Sequence, residues 1–194
     1  MKNILFTLVL LFGVSTITAQ DSKFYLGVGA GYATTGGDVT SDNNYRGGIH
    51  INFVNIGYRI NKTWGITANL GSAGHTIDNA DSVLGIAAIS VGPMISFPVS
   101  NMTWDLKPQY VFGMTGVVRG DEAADLGLEG LEFLGSGFII GNSLVMGKGQ
   151  GFTWSIDFDY LTGNFDEMKI DGETFEDDSD YNSFRVGVGV RYNF

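Results

Sequence analysis

Two histidines and a serine are the residues of this chain that could carry nucleophilic catalysis. A serine becomes a nucleophile when a neighbouring histidine removes its proton, and an acid usually orients that histidine. Ser72 and His75 are three residues apart, and an extended strand points such residues to opposite faces. The sequence places no serine or acid beside His50. We therefore expect a protein without enzymatic activity, with no catalytic residue, no cofactor and no metal centre.

Acidic side chains are the second candidate, because carboxylate oxygens bind divalent cations. Most of the 21 Asp and Glu residues lie in or beside four polar segments: 35–46, 76–81, 120–130 and 166–180. The last segment contains the pattern Glu-x-Lys-x-Asp-Gly from Glu167, but Lys169 stands where a calcium loop needs an oxygen ligand. We expect no dedicated calcium site, and at most loose bridging of Mg²⁺ or Ca²⁺ to phosphates of a membrane surface.

Seven polar residues in three alternating segments are the third candidate. They recur at every second position, opposite apolar neighbours: Asp105, Lys107, Gln109, Asp157, Asp159, Arg185 and Arg191. Because side chains alternate across a strand, we expect these residues to face the interior of a barrel, with Asp157 diagonal to Arg191 and Asp159 diagonal to Arg185. Their nearly balanced charge predicts a paired polar network that fills the barrel. The functional alternative is a proton or ion path.

The closing segment, Asn182 to Phe194, indicates which kind of strand carries these faces. Its valine and aromatic side chains share one face: Phe184, Val186, Val188, Val190, Tyr192 and Phe194. The other face carries arginine, asparagine and glycine. A soluble sandwich could bury such a strand, but an outward aromatic as the last residue favours the closing strand of a membrane barrel.

All three tryptophans occupy the same position relative to a short polar connection. Each follows a threonine directly after a predicted tight turn, at Trp64, Trp104 and Trp154. An indole has an apolar body and a polar N–H, which suits the interface between membrane and water. Together with Tyr192 and Phe194, the tryptophans are predicted to form an aromatic belt at one interface.

Short and long connections alternate along the chain, as in an up-and-down membrane barrel. The four polar segments are the long connections, and the turns before the tryptophans are the short ones. We predict eight antiparallel strands between them: Phe24–Thr34, Gly48–Ile60, Trp64–His75, Ser82–Phe97, Met102–Arg119, Leu131–Met146, Phe152–Phe165 and Asn182–Phe194. An even number of strands would place both termini in the periplasm.

Local irregularities are expected in two of these strands. The apolar phase of the second strand changes near Val54, which predicts a β-bulge. The lipid-facing side of the fifth strand is predicted to run from Trp104 to Met114 without a change of phase. Pro108 lies on that side and indicates a bulge or a weakly paired position.

Composition and the first residues set the cellular context. Lys2, the apolar run from Ile4 to Val14 and a cleavage point before Gln20 predict an export signal over residues 1–19, followed by the barrel domain over 20–194. The chain has no cysteine, so a disulfide framework is excluded. Its 11 Lys and Arg stand against 21 Asp and Glu, which argues against nucleic acid as a partner.

With these features in place, the mature chain resembles the small outer-membrane β-barrel superfamily of OmpA-barrel, OmpX and OmpW-like proteins, often labelled porin-family. The resemblance implies the outer membrane of a Gram-negative bacterium, with outer-membrane lipid and lipopolysaccharide as surroundings. The ending Tyr192-x-Phe194 resembles the assembly signal that the barrel-assembly machinery recognises in that group. We therefore expect that machinery to be a partner.

Three functions stay open at this point. We favour a non-enzymatic integral outer-membrane protein whose acidic surface loops have a structural or interaction role in the cell envelope, with an envelope protein as partner. The alternative is a narrow channel or lateral conduit for small or hydrophobic solutes, as in OmpW-like barrels. A lipid A-modifying enzyme is the third reading, since some eight-stranded barrels have that activity.

Overall fold

The computed structural model describes residues 23–38, 46–76, 82–120, 131–147, 149–170 and 172–194. The predicted signal peptide and parts of the long connections lie outside these residues. The chain forms eight strands: β1 (Phe24–Ala33), β2 (Gly48–Arg59), β3 (Trp64–Thr76), β4 (Ser82–Val99), β5 (Met102–Gly120), β6 (Glu132–Met146), β7 (Gly151–Ile170) and β8 (Glu173–Asn193). No helix in the described ranges has the length and hydrophobicity that a membrane crossing requires.

Each strand pairs with its neighbours in chain order, and the sheet closes between β8 and β1. All pairings are antiparallel, so the structure is the predicted up-and-down barrel. Closure leaves no unpaired sheet edge around the barrel wall, which is the condition for a β-structure to cross lipid. The predicted strands agree with the observed ones to within about two residues, except at the far ends of β7 and β8.

The seam between β1 and β8 runs without a register shift from the pair Tyr25–Asn193 to the pair Ala33–Arg185. At its end the Phe194 N–H donates to the Phe24 carbonyl oxygen at 3.0 Å, and the two rings are 5.3 Å apart. We call this end of the barrel, where Phe24 and Phe194 meet, the terminal end. The opposite end is the hairpin end, named for the connection between β7 and β8.

Bulges in β2 and β5 change the phase of these strands, and further register shifts lie toward the hairpin end of β7 and β8. The register of β2 against β3 shifts between Asn52 and Val54, which confirms the bulge predicted there. A second bulge, in β5, adds one residue between Val111 and Met114 relative to β6. Met114 is consequently turned inward and is only 1% exposed. The prediction that Met114 faces lipid was therefore wrong, because a bulge reverses the side to which every later residue points.

The β4–β5 ladder is interrupted at two prolines. Paired residues are found up to Val91–Tyr110 and again from Ile95–Leu106, and continuing the same register sets Pro93 opposite Pro108 in the gap. Proline has no backbone N–H and cannot donate to a ladder. This confirms Pro108 as a weakly paired position. A Cβ added to Gly92 would overlap the Pro108 carbonyl oxygen, so the two strands stay adjacent across the gap.

The predicted loop at 166–180 is instead an extension of the sheet. β7 continues to Ile170 and β8 begins at Glu173, and the turn between them includes Gly172 at φ +86. Met168 is paired with Phe175 across this hairpin. The loop prediction was wrong because it rested on acidic composition, whereas charged residues are compatible with a strand that has water on its faces.

Candidate functional site: the barrel lumen

An ionic network centred on Asp105 fills the lumen toward the terminal end. Asp105 on β5 is fully buried. Arg191 Nη1 on β8 donates to Asp105 Oδ2 at 2.9 Å, Arg59 Nη2 on β2 lies 3.3 Å from the same oxygen, and Ser96 Oγ on β4 donates to Asp105 Oδ1 at 2.7 Å. A buried carboxylate is costly unless charges and hydrogen bonds compensate it. These contacts supply that compensation and join four strands across the lumen.

Asp157 on β7 is the second acid of the network. Arg191 Nη2 lies 3.4 Å from Asp157 Oδ1, and Lys107 Nζ lies 3.9 Å from it. The hydroxyls of Ser143 and Ser155 also donate to this carboxylate. One guanidinium therefore bridges both acids, which its planar fork of donors makes feasible.

The Arg191 side chain is held in place by an aromatic ring and a glycine. Its guanidinium carbon lies 4.8 Å from the centroid of the Tyr25 ring, and that of Arg59 lies 5.8 Å from the same centroid, both within reach of a cation–π contact. A Cβ on Gly27 would meet Arg191 Cγ at 2.8 Å. Gly27 thus leaves the space that the arginine occupies. Tyr25 and Arg59 were not among the predicted network residues, although both lie on inward positions of their strands.

The remaining predicted network residues also lie on the inner face. Gln109 Oε1 accepts hydrogen bonds from Asn69 Nδ2 at 2.7 Å and Ser90 Oγ at 2.5 Å. Asp159 lies directly opposite Arg185 and not diagonal to it, because the observed register differs by two residues from the predicted alignment of Phe152 with Phe194. The same register sets Asp157 opposite Gly187, so Asp157 is not diagonal to Arg191 as predicted, although the two side chains form an ion pair. Within the described part of the chain, neither residue forms an ion pair shorter than 4.0 Å.

A small cavity lies beside Arg185, which is 4% exposed. His50, Asp157, Asp159 and Gly187 contribute to its wall, and its volume is about 10 Å³. That is room for about one water molecule. Arg185 Nε and Nη2 and Asp159 Oδ1 are buried there without a hydrogen-bond partner among the described residues. The lumen at this level can hold a bridging water but not a solute.

Toward the hairpin end the lumen is apolar. A cluster of buried side chains from five strands fills it, and we call this cluster the apolar plug: Leu84, Ile86, Ala88, Val111, Met114, Val118, Leu131, Ile139, Leu161, Phe165 and Tyr181. Phe133, Met168 and Ile170 pack against it. The lumen of a membrane barrel is ordinarily polar, so half of this lumen has the character of a soluble protein core.

The residues weighed for catalysis are separated by the barrel wall. Ser72 points outward, while His75 is fully buried inside, and its Nε2 is 2.9 Å from the hydroxyl of Tyr181 in the plug. His50 lies on the inner face beside the small cavity. Over the described ranges, no group of three or more His, Cys, Asp or Glu side chains is placed to hold a metal ion.

The five residues of the predicted aromatic belt are all exposed on the outer face at the terminal end: Trp64, Trp104, Trp154, Tyr192 and Phe194. Tyr192 contacts Phe194 with ring centroids 5.0 Å apart, and Trp104 contacts Phe97 at 5.2 Å. Trp104 Nε1 also donates to Asn142 Oδ1 at 3.2 Å. These aromatic side chains therefore lie on the outer face near the short turns and the chain terminus.

The acidic residues are divided between the hairpin and segments that the structure does not describe. Asp180, near the base of the hairpin, accepts a hydrogen bond from the Asp38 N–H at 2.6 Å. Further along, Glu167 faces Glu176 across the hairpin. The acids predicted at 78–81 and 121–129 lie outside the described residues. The hairpin is thus the described part of the acidic surface.

Three solved structures share this architecture. Neisserial surface protein A aligns with a TM-score of 0.59 and 13% identity over 91% of this chain and 100% of that chain. OprG from Pseudomonas aeruginosa aligns with a TM-score of 0.50 and 6% identity over 91% and 99%. Ail, the attachment invasion locus protein of Yersinia pestis, aligns with a TM-score of 0.50 and 12% identity over 88% and 99% in its complex with sucrose octasulfate, a heparin analogue. At these identities the likeness concerns the fold alone.

Sequence comparison gives the family. No curated protein matches the chain. The family model described as the outer membrane protein beta-barrel domain, however, matches residues 4–194, which is nearly the whole chain. The closed eight-stranded barrel agrees with the beta-barrel domain that this family model describes. The chain therefore belongs to the outer membrane protein β-barrel domain family, whose members reside in the outer membrane of Gram-negative bacteria.

Proposed function

We propose that this protein is a non-enzymatic outer-membrane barrel with a closed lumen, and that it acts through its surface in a structural or interaction role. The observation that carries the proposal is the filling of the lumen by the ionic network and the apolar plug. A pore that passes solutes needs a continuous polar path. Here the polar half ends against packed side chains, so the barrel wall and its projections are the parts available for function.

The test is electrical conductance of the purified barrel in planar lipid bilayers. The wild-type barrel is expected to insert without discrete conductance steps. A double variant Met114→Ala and Phe165→Ala would remove the two plug side chains and is expected to allow small currents, provided that its gel migration still depends on heating. Reproducible channel steps of the wild-type protein would overturn the closed-lumen proposal.

The hairpin formed by the ends of β7 and β8 is the surface that we propose for interaction. It projects beyond the ends of β1 and β2 and carries Glu167, Glu173 and Glu176 on paired β-strands. Rigid projection lowers the entropic cost of binding, and clustered acids attract a basic partner at a rate that falls with salt. We propose a basic envelope protein as that partner, with loose Mg²⁺ or Ca²⁺ bridging to lipopolysaccharide as a weaker contribution.

Gentle detergent extraction, followed by identification of co-purifying proteins, tests the interaction role. A variant with Glu173→Gln and Glu176→Gln is expected to lose the partner, while Asp166→Asn at the start of the hairpin extension is a single-charge control with a smaller effect. Retention of the same partner by the double variant at every salt concentration would contradict an electrostatic hairpin contact.

A lateral conduit for small hydrophobic solutes is the second candidate, and the proline gap in the β4–β5 ladder favours it. Hydrogen bonds missing near Pro93 and Pro108 lower the cost of parting these strands. If the gap opens in function, uptake of a fluorescent apolar probe into proteoliposomes should fall when both prolines are replaced by valine. If probe uptake were equal for the wild type and the double valine variant, or absent from both, the lateral conduit would be contradicted and the closed barrel would be the remaining proposal.

The proposed orientation follows from the two ends of the barrel. Short turns and the aromatic belt occupy the terminal end, and the hairpin occupies the other. By the general architecture of these barrels, short turns face the periplasm and long projections face outward. We propose periplasmic termini, removal of residues 1–19 on export and insertion by the barrel-assembly machinery through Tyr192 and Phe194. Protease added to intact cells should cleave the hairpin end only.

A further inference from the structure

A groove crosses the outer wall of the barrel near the hairpin end. It has a volume of about 340 Å³, within the range of roughly 300–1,000 Å³ that small-molecule sites occupy. The register sets Ser72, Ala87 and Thr115 in one row across β3, β4 and β5, and Gly85 beside Val117 in the next row. The floor of the groove is therefore made of small side chains from three adjacent strands.

Larger apolar side chains surround this floor. Ile51 and Ile49 on β2 lie opposite Ser72 and Gly74, and they are 41% and 68% exposed. Ile89 on β4 follows Ala87 on the outer face toward the terminal end and is 44% exposed. A floor lower than its surroundings loses dispersion contacts unless a partner atom fills the space. In a membrane, the group whose shape fits this groove is a lipid acyl chain that lies along the barrel wall.

Arg119 supplies the polar end of the groove. It is the last residue but one of β5, is exposed, and lines the groove opposite Val83. Among the described residues no carboxylate lies within 4.0 Å of its guanidinium. On β6, the acid nearest to Arg119 by register is Glu132, which has Lys169 as its own cross-strand neighbour on β7. The planar guanidinium group of arginine binds phosphate in a bidentate manner.

We propose that this groove is a binding site for lipopolysaccharide, with one acyl chain of lipid A along the small-residue floor and a lipid A phosphate on Arg119. Charge complementarity selects an anionic headgroup, and the position of Arg119 at the hairpin end places that headgroup at the outer surface. The choice of lipopolysaccharide over other anionic lipids rests on the orientation proposed above, because the outer leaflet contains this lipid. The groove would then attach the barrel to its lipid surroundings at one fixed face.

Native mass spectrometry of the barrel in detergent micelles, titrated with purified lipid A, tests the site. Arg119→Gln is expected to weaken lipid A binding about fivefold, the effect of one arginine at an anionic membrane surface. Ala87→Leu fills the floor and is expected to weaken lipid A and dephosphorylated lipid A alike. Lys62→Gln, at the opposite end, and Ala30→Leu, on the outer face of β1, are the matched controls and should bind as the wild type does.

Three results would overturn the proposal. Equal lipid A binding by Arg119→Gln, Ala87→Leu and the wild type would show that the groove is not the site. If the wild type bound dephosphorylated lipid A as tightly as lipid A, the proposed phosphate contact would be contradicted. If the wild type bound phosphatidylglycerol as tightly as lipid A, the proposed preference for lipopolysaccharide would be contradicted. Heat-modifiable migration of each variant shows that it is folded, and bilayer conductance is measured separately, so failure of the closed-lumen proposal would be distinguishable from failure of this one.

Discussion

The two halves of the lumen are both filled by side chains, but one is filled by charged groups and the other by apolar groups. Near the terminal end, Asp105, Asp157 and Arg191 fill the space with charge that is paired and hydrogen-bonded. Near the hairpin end, apolar side chains such as Leu161 and Phe165 fill most of it, and the buried pair of His75 and Tyr181 contributes a neutral hydrogen bond instead of an ion pair. An eight-stranded barrel leaves room only for side chains, so both halves close the lumen. They differ in what removal of one side chain leaves behind: an unpaired charge in the first, an empty volume in the second.

The largest effect is expected from Asp105→Asn. The variant keeps the shape of the side chain but leaves Arg191 and Arg59 facing a neutral amide. Removal of one partner from a buried ion pair costs about 3–5 kcal/mol. The free energy of unfolding, measured by urea titration in lipid bilayers, should fall by about that amount. A loss below about 1 kcal/mol would mean that water reaches the network and that the contrast between the halves is smaller than the structure implies.

A somewhat smaller loss is expected from Leu161→Ala in the plug. Leu161 is fully buried in the lumen, and leucine-to-alanine changes in cores cost about 2–5 kcal/mol, depending on how far the site collapses. Leu106→Ala is the matched control, because Leu106 lies on the outer face of β5, where lipid fills the space left by the deletion. The same urea titration applies. Equal losses for both variants would mean that the plug is not packed more tightly than the lipid interface.

The smallest effect is expected from Asp159→Asn. This is the same kind of change as Asp105→Asn, but it lies at the border between the ionic and the apolar halves of the lumen. Asp159 faces Arg185 across β7 and β8 but forms no ion pair within 4.0 Å among the described residues. Because this carboxylate has no such direct ion pair to lose, its replacement by an amide should change the free energy of unfolding by less than about 1 kcal/mol, the scale of one net hydrogen bond. A loss as large as that of Asp105→Asn would place Asp159 within the network.

Alternation made the architecture predictable from the sequence. Strands such as β8 repeat an apolar and a polar position without interruption, so strand count, inward faces and the closing strand all follow from one rule. The bulge at Val54 was predictable because Ile51 and Phe53 before it, and Ile56 and Tyr58 after it, mark the outward phase of the strand. The bulge in β5 left no such mark, since Phe112 and Met114 are both apolar and either could face lipid.

The apolar plug could not be predicted for a related reason. The strands β4 and β6 are apolar on both faces, so no contrast identified the inward side, although that double apolarity was itself the available signal. The partners of Asp105 depend on which strands meet across the lumen, and this requires the full register around the barrel. Arg59 was therefore missed, since its distance from Asp105 is set by closure and not by sequence spacing.

The single extra residue in β5 has a consequence for how this barrel tolerates change. Deletion of Phe112 would remove the extra residue, so that Gly113 took the outward position and Met114, Val118 and Arg119 kept their faces. Regular pairing of the undeleted strand would instead turn Met114 and Val118 to the lipid and carry Arg119 into the lumen. The bulge thus joins two segments of one strand, and the inward and outward alternation of side chains in one segment is independent of that in the other. An insertion or deletion between this bulge and the hairpin end would reverse the faces of the residues that follow it, and would therefore change the apolar plug and the outer groove together. The ionic network lies before the bulge and would stay intact. The sequences of the two halves of the lumen can therefore change at different rates.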